Sequence, residues 1–231
     1  KKPFNKFEYD RLSSYYEEYV RFGGFPQVVL SQSETEKKDI LLDIMSSYVN
    51  IDIRSLADFS DERNLYSLAK LLSGRIGSRV EYSTLSRMIG LSRPTVTNYI
   101  AFFEKTYLIS TIPVFTKNIG REIVKSKKLY FCDTGLANIL SEISSGAQFE
   151  NTLFNQLSRV GSLQYYALKT GNEVDFILNG TLAIEAKETP TENDLTTLSR
   201  LSSTSGLSDF RLIGRYQSPR FDNCVWGGSI T

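Results

Sequence analysis

A chain of 231 residues with 41% hydrophobic and 12% aromatic content has the material for one large or two small packed domains and is too apolar for a disordered segment. It contains no His and two Cys, Cys132 and Cys224; this removes His-dependent triads, Cys/His zinc sites and imidazole base chemistry, and suits a reducing compartment, with a single bridge between the two left open. Without His and with two Cys, catalysis, if any, must run on carboxylates, Lys, Tyr, Ser/Thr or a hard metal ion; the net charge is only +1.

No stretch approaches about 18 consecutive apolar residues, so no membrane contact by a spanning helix is expected. The start, KKPFNKFEYD, lacks an initiator Met and an apolar h-region and reads as an internal cut from a longer, cytoplasmic chain, not a signal peptide. Charge is unevenly spread. Residues 70–128 hold eleven Lys and Arg against three Asp and Glu, a surplus of eight positive charges. From Leu129 onward there are seven against eleven. A basic block before an acidic one suggests a nucleic-acid-facing part beside one that can hold cations, or an ordinary solvated surface.

In chain order, residues 8–22 are helical by pattern, with Leu12, Tyr15, Tyr16, Tyr19 and Val20 near one side as a packing surface. Gly23-Gly24-Phe25-Pro26 stops that helix. A second helix is expected over roughly residues 33–52, with Ile40, Leu41, Ile44, Met45 and Tyr48 on its stripe. A third carries Leu65, Leu68, Ala69 and Leu72 and ends near residues 74–77. Ser83 is a candidate cap for a short helix to Ile89; Gly90-Leu91 turns, and Ser92 caps a helix opening Arg93-Pro94-Thr95. Val96, Tyr99, Ile100 and Phe103 face inward on it, while Arg93, Thr95 and Asn98 face outward. Residues 108–115 and 129–131 read as strands flanking a Lys-rich connection. Helices followed by such a pair make the winged-helix plan. Arg87, Arg93, Thr95, Asn98, Lys117, Lys125 and Lys127 are its candidate DNA contacts; protein contact is the alternative. Asp133-Thr134-Gly135 reads as a structural turn.

A helix over residues 147–160 places Glu150 on the same stripe as Leu153, Phe154 and Leu157, a carboxylate looking toward the core. Strands follow at residues 163–168, 173–178 and 182–187, then a polar helix near 192–203 and a strand at 209–213. The whole is α+β, in three parts: a helical segment (1–60), a winged helix-turn-helix (61–135) and an α-β-β-β-α-β domain (136–231). Asn179-Gly180 marks a hairpin between the second and third of these strands. A two-residue turn would send Asp175 and Glu185 to opposite faces; a three-residue turn, 179–181, or a bulge unites them. The odd count is expected.

Glu150, Asp175, Glu185 and Lys187 form a chemically sufficient set for phosphodiester hydrolysis. Asp175 and Glu185, with Glu150, can offer hard oxygen ligands to Mg2+, and Lys187 can orient the attacking water or stabilise charge on the phosphate. The plainer reading makes Lys187 a neutralising partner of Glu185 and Asp175, and has Glu150 pair locally.

These residues carry a resemblance. Asp175, the E-x-K of Glu185 and Lys187 about ten residues on, and the preceding helical Glu150 resemble the PD-(D/E)xK nuclease-like fold, including its α-β-β-β-α-β order. Over most of the chain, GGFP at 23–26, SRPTVTNYIAFFEKTYLI, KLYFCDTGLANIL, FEN, NEVDF and IEAK resemble the C-terminal region of a large group of predicted bacterial and archaeal AAA+ ATPases. The resemblance implies an attached N-terminal P-loop ATPase. No G-x-x-x-x-G-K-[ST] occurs here, so ATP would act only through that missing domain. DNA and the ATPase domain of the same full-length chain are the expected partners, with self-association open. The alternative is a non-catalytic nucleic-acid- or protein-binding regulatory or assembly domain, since nuclease-like folds include proteins not known to cut.

Overall fold

Asn5 opens the first helix by accepting the Glu8 amide at 3.2 Å, and α1 (Lys6–Phe22) ends where Gly23 turns to φ 76°. In a computed structural model, residues 4–48, 62–116 and 125–230 are described. The Gly-Gly-Phe-Pro stretch does not leave the chain irregular: Pro26 sits at the first position of a short helix, α2 (Pro26–Leu30), where its missing N–H is harmless. Ser33 then caps α3 (Glu34–Ser47); residues 49–52 of the expected second helix lie outside the described residues.

Next come α4 (Glu62–Ser73), α5 (Tyr82–Ile89) and α6 (Arg93–Lys105). Ser83 does not cap α5; Glu81 holds that position, its carboxylate accepting the Thr84 hydroxyl at 3.2 Å and no backbone amide, and Ser83 lies within the first turn. Ser92 does cap α6, accepting the Thr95 amide at 3.2 Å. Strand β1 (Ile109–Ile112) pairs antiparallel with β2 (Lys128–Phe131), Ile109 opposite Phe131 and Ile112 opposite Lys128. On the other edge of β2, Gly77 donates to the Leu129 carbonyl at 2.9 Å and Val80 to that of Lys127 at 2.8 Å. Strand β2 is therefore tied on both sides.

Asp133-Thr134-Gly135 is a helix start, not a turn. Asp133 accepts the Leu136 amide at 3.1 Å to cap α7 (Thr134–Leu140), and its other oxygen accepts the Gly24 amide at 2.8 Å. Helix α8 (Ser145–Leu157) leads into a five-stranded sheet in spatial order β3-β4-β5-β6-β7. Its strands are β3 (Leu163–Ala167), β4 (Glu173–Leu178), β5 (Leu182–Lys187), β6 (Asp209–Gly214) and the two-residue β7 (Val225–Trp226). The first three are antiparallel; α9 (Glu192–Ser205) makes the crossover that lets β6 run parallel to β5.

The protein is of the α+β class. Its larger core draws on every part of the chain, from Tyr16 and Val20 through Leu68 and Phe103 to Phe154, Phe176 and Trp226. A smaller one, with Val174, Ile177, Ala183, Leu198, Leu212 and Cys224, lies under α9 on the other face of the sheet. Beyond β1 the chain also pairs with β3: Tyr165 donates to the Pro113 carbonyl at 2.9 Å and accepts the Phe115 amide at 2.6 Å. Buried Arg215, after β6, binds Glu17 of α1 at 2.7 Å and the Ser145 carbonyl at 2.9 Å. Both cysteines are free. No described helix is long and apolar enough to cross a membrane.

Candidate functional site

The β4–β5 hairpin sets the geometry. Phe176 pairs with Ile184, Ile177 with Ala183 and Leu178 with Leu182, so the turn holds three residues, as the odd count requires. Asn179 and Gly180 both take positive φ, 52° and 68°, as the central residues of a type I′ turn must; Thr181 is the extra one. The strands part beyond Phe176–Ile184, and side chains replace the ladder. The Asp175 amide donates to Glu185 Oε2 at 3.3 Å, and the Ala186 amide donates to Asp175 Oδ2 at 3.0 Å. Each carboxylate thus satisfies the backbone of the opposite strand at the mouth of a fork.

A second irregularity aims Asp175. Gln164 of β3 pairs with Ile177, but Tyr166 pairs with Val174, so Tyr165 alone faces both Asp175 and Phe176. This is a β-bulge on β4. Its effect is visible in the cores: Val174 packs in the smaller one and Phe176 in the larger, although two residues apart should share a face. The extra residue turns Asp175 to the Phe176 side, toward α8 and β2.

There it meets Glu150 through a residue from another part of the chain. The Lys128 ammonium, on β2, lies 2.9 Å from Glu173, 3.6 Å from Asp175 and 3.7 Å from Glu150, with its side chain 2% exposed. The Tyr130 hydroxyl, two residues on, donates to Glu150 at 2.7 Å. Gly77 leaves room for that carboxylate; a Cβ there would stand 2.7 Å from Glu150 Oε1. Arg79 reaches Glu173 at 3.4 Å. Across the fork, Lys187 contacts Glu185 at 2.9 Å and is 39% exposed. The site therefore straddles the helical part and the larger sheet.

Its electrostatics follow from crowding. Burial and then the neighbouring Asp175 charge raise Glu150 to about 7, against the opposite pull of Lys128 and the Tyr130 hydroxyl. The same two causes, burial first, raise Glu185 to about 8, with Lys187 opposing. Burial on its own would lower Lys128, yet Asp175, Glu150 and Glu173 carry it above its ordinary value. The ammonium stays charged and the carboxylates compete for what negative charge the site can hold. The donors are hard oxygens, which fits Mg2+ chemically. Among the described residues no three acidic or Cys side chains draw together as an ion cage, and the positive charge at their centre is that of Lys128.

Of the four sequence-derived residues, Asp175, Glu185 and Lys187 meet at this fork, and Glu150 joins Asp175 across the Lys128 ammonium. Lys128, Tyr130, Glu173 and Arg79 were missed. A signal existed: K-x-Y at 128–130 and E-x-D at 173–175 put polar groups at two-residue spacing inside apolar strands. Of the candidate DNA contacts, Arg87, Arg93, Asn98, Lys125 and Lys127 are exposed. Thr95 is half-buried and shares a 2.7 Å hydrogen bond with the Ser92 hydroxyl. Lys117 lies outside the described residues.

The chain is similar to uncharacterised proteins of two organisms. With one from Methanocaldococcus jannaschii it is 26% identical over 191 residues, 78% of this chain and 43% of that protein. With one from Haemophilus influenzae it is 29% identical over 172 residues, 70% of this chain and 42% of that protein. The chain thus spans less than half the length of these relatives. No solved structure matches it. The sequence model of a family described as a domain of unknown function, DUF8612, matches residues 13–147. That is more than half of the 231 residues, so the chain belongs to the DUF8612 family.

Proposed function

We propose that this chain is a nucleic-acid-binding module with a carboxylate site for metal-assisted phosphodiester hydrolysis, working as one part of a longer ATPase. The observation that carries the reading is the fork: Asp175 and Glu185 cross-bond at the point where β4 and β5 part, with the Lys187 ammonium 2.9 Å from Glu185. The helices α4–α6 with β1 and β2 would act as a winged helix that grips duplex phosphates through Arg87, Arg93, Lys125 and Lys127. The sheet with α8 and α9 would be the PD-(D/E)xK nuclease-like part.

Asp175 and Glu185, with Glu150 nearby, would hold Mg2+. When bound, such an ion polarises a phosphate oxygen and acidifies a water. Lys187, partly exposed at the fork, would orient that water and offset the charge that builds on the phosphate. The attached ATPase rests on the resemblance of the GGFP, KLYF and NEVDF segments, and is compatible with relatives more than twice the length of the region they share with this chain.

A second reading has a specific observation behind it. The Lys128 ammonium already balances Glu150, Glu173 and Asp175, which favours a non-catalytic binding or assembly domain that keeps the fold. Incubating plasmid and single-stranded DNA with the protein and Mg2+ or Mn2+ decides between them. Cleavage lost in both Asp175→Ala and Lys187→Ala supports hydrolysis. Salt-sensitive DNA binding without cleavage supports the binder.

A further inference from the structure

Helix α6 (Arg93–Lys105) buries Val96, Tyr99, Ile100 and Phe103 in the larger core and leaves its other side to solvent. On that side Pro94, Asn98 and Lys105 fall along one line, Arg93 and Thr97 along another, and all five are exposed. Their polar groups are unequally committed. The Thr97 hydroxyl is spent on the helix, donating to the Arg93 carbonyl at 2.9 Å, and half-buried Thr95 is tied to Ser92. Asn98 alone presents an amide with no partner among the described residues, a free donor beside a free acceptor in the second turn. The surroundings are of one sign. Arg93 and Lys105, with Arg87 of α5 and Lys125 and Lys127 before β2, are exposed, and none makes an ion pair with a described carboxylate. The nearby acids are occupied: Glu104 accepts the Thr111 hydroxyl at 2.5 Å, and Glu81 that of Thr84. The entry to the helix is fixed by left-handed Gly90, by the Ser86 hydroxyl on the Leu91 carbonyl and by the Ser92 cap.

We propose, resting on the nucleic-acid-binding reading above, that α6 enters the major groove of B-form DNA and that Asn98 reads an adenine there. A helix of about 10–12 Å diameter fits that groove, which is about 12 Å wide; the major groove of an RNA duplex is too deep and narrow to be read. Adenine presents its N7 acceptor beside its N6 amino donor, the complement of a carboxamide's NH2 and oxygen. Arg93 and Lys105, at the two ends of the same side, meet phosphates, which fix the helix in register and carry no sequence information. The ligand narrows from nucleic acid in general to duplex DNA holding a required A·T pair. Asn98 decides which sites are bound, and the cations decide how tightly.

The test is selection of bound duplexes from a random-sequence DNA pool by the whole chain. Fluorescence anisotropy then compares the selected site, the same site with its A·T pair changed to G·C, and the RNA duplex of that sequence. The change to G·C is expected to weaken wild-type binding about tenfold. Asn98→Ala, at an exposed helical position where Ala is the better helix former, should keep its fold, bind both DNA duplexes alike and leave the salt dependence unchanged. Arg93→Ala should weaken both equally and reduce the slope of log affinity against log salt by about one. A selected site with no required A·T pair, a preference that survives Asn98→Ala, or an RNA duplex bound as well as DNA overturns the role of Asn98 and leaves nucleic-acid binding standing. No binding of any duplex or single strand at low salt sinks the nucleic-acid reading, and the role of Asn98 with it.

Discussion

Glu150 and Glu185 hold protons that an unfolded chain would release. Their carboxyls rise from an ordinary 4.5 to about 7 and about 8, through burial first and the Asp175 charge second. Between those values the folded state binds more protons than the unfolded one, so stability falls as pH rises. The contribution is full below 4.5 and is lost as pH passes through about 7 and about 8. The urea midpoint should therefore drop between about pH 5 and about pH 8.5, and Glu185→Gln should flatten the slope. A midpoint that climbs over this range would contradict the burial described for these groups.

At the scale of the element, the β4–β5 hairpin shows which features a sequence can carry. Asn179-Gly180 announces the turn, and the need to unite Asp175 with Glu185 fixes its count at three. Deleting Thr181 would leave a two-residue turn and slip β5 by one position, moving Ile184 out of the larger core and Ala183 out of the smaller one. The expected result is loss of a cooperative thermal transition by circular dichroism; a variant melting like wild type would show that the register is set elsewhere. The bulge at Asp175 and Phe176 was not legible, because it depends on how Tyr165 is held by Pro113 and Phe115 from a distant strand. Helices α2 and α7 escaped for another reason. With 5 and 7 residues they show too little periodicity to read, although Pro26 and the Asp133 cap were there to be seen. Lys128 looked like the end of a basic run, and only its tertiary partners reveal it as buried.

At the scale of the whole molecule, a division at residues 135 and 136 would pass through the candidate site. Lys128, Tyr130, Gly77 and Arg79 lie before it, and Glu150, Glu173, Asp175, Glu185 and Lys187 after it. The first helix is committed in the same way: Tyr16 stands edge-on to Trp226 at 5.4 Å, and Glu17 holds Arg215. Residues 136–231 expressed alone should lack a fixed tertiary structure, with a weak near-ultraviolet signal and strong dye binding to exposed apolar surface. So should a chain lacking residues 1–60. A well-folded 136–231 fragment would show that the shared core is not needed.

The two thiols have a use that follows from where they sit. Burial, then a nearby carboxylate, raises both Cys132 and Cys224 to about 11, so at neutral pH each is protonated and slow to alkylate. Cys224 belongs to the smaller core under α9, while Cys132 follows β2, whose Leu129, Tyr130 and Phe131 lie in the larger one. Cys132 is half-buried and Cys224 buried, so alkylation of Cys224 waits on the opening of its surroundings. Mass spectrometry of the two peptides during timed labelling would read both rates from one unmodified sample, with Cys132 as the internal reference. A Cys224 far slower than Cys132 would mean the α9 layer stays shut; a Cys224 as fast or faster would mean that layer lifts away readily.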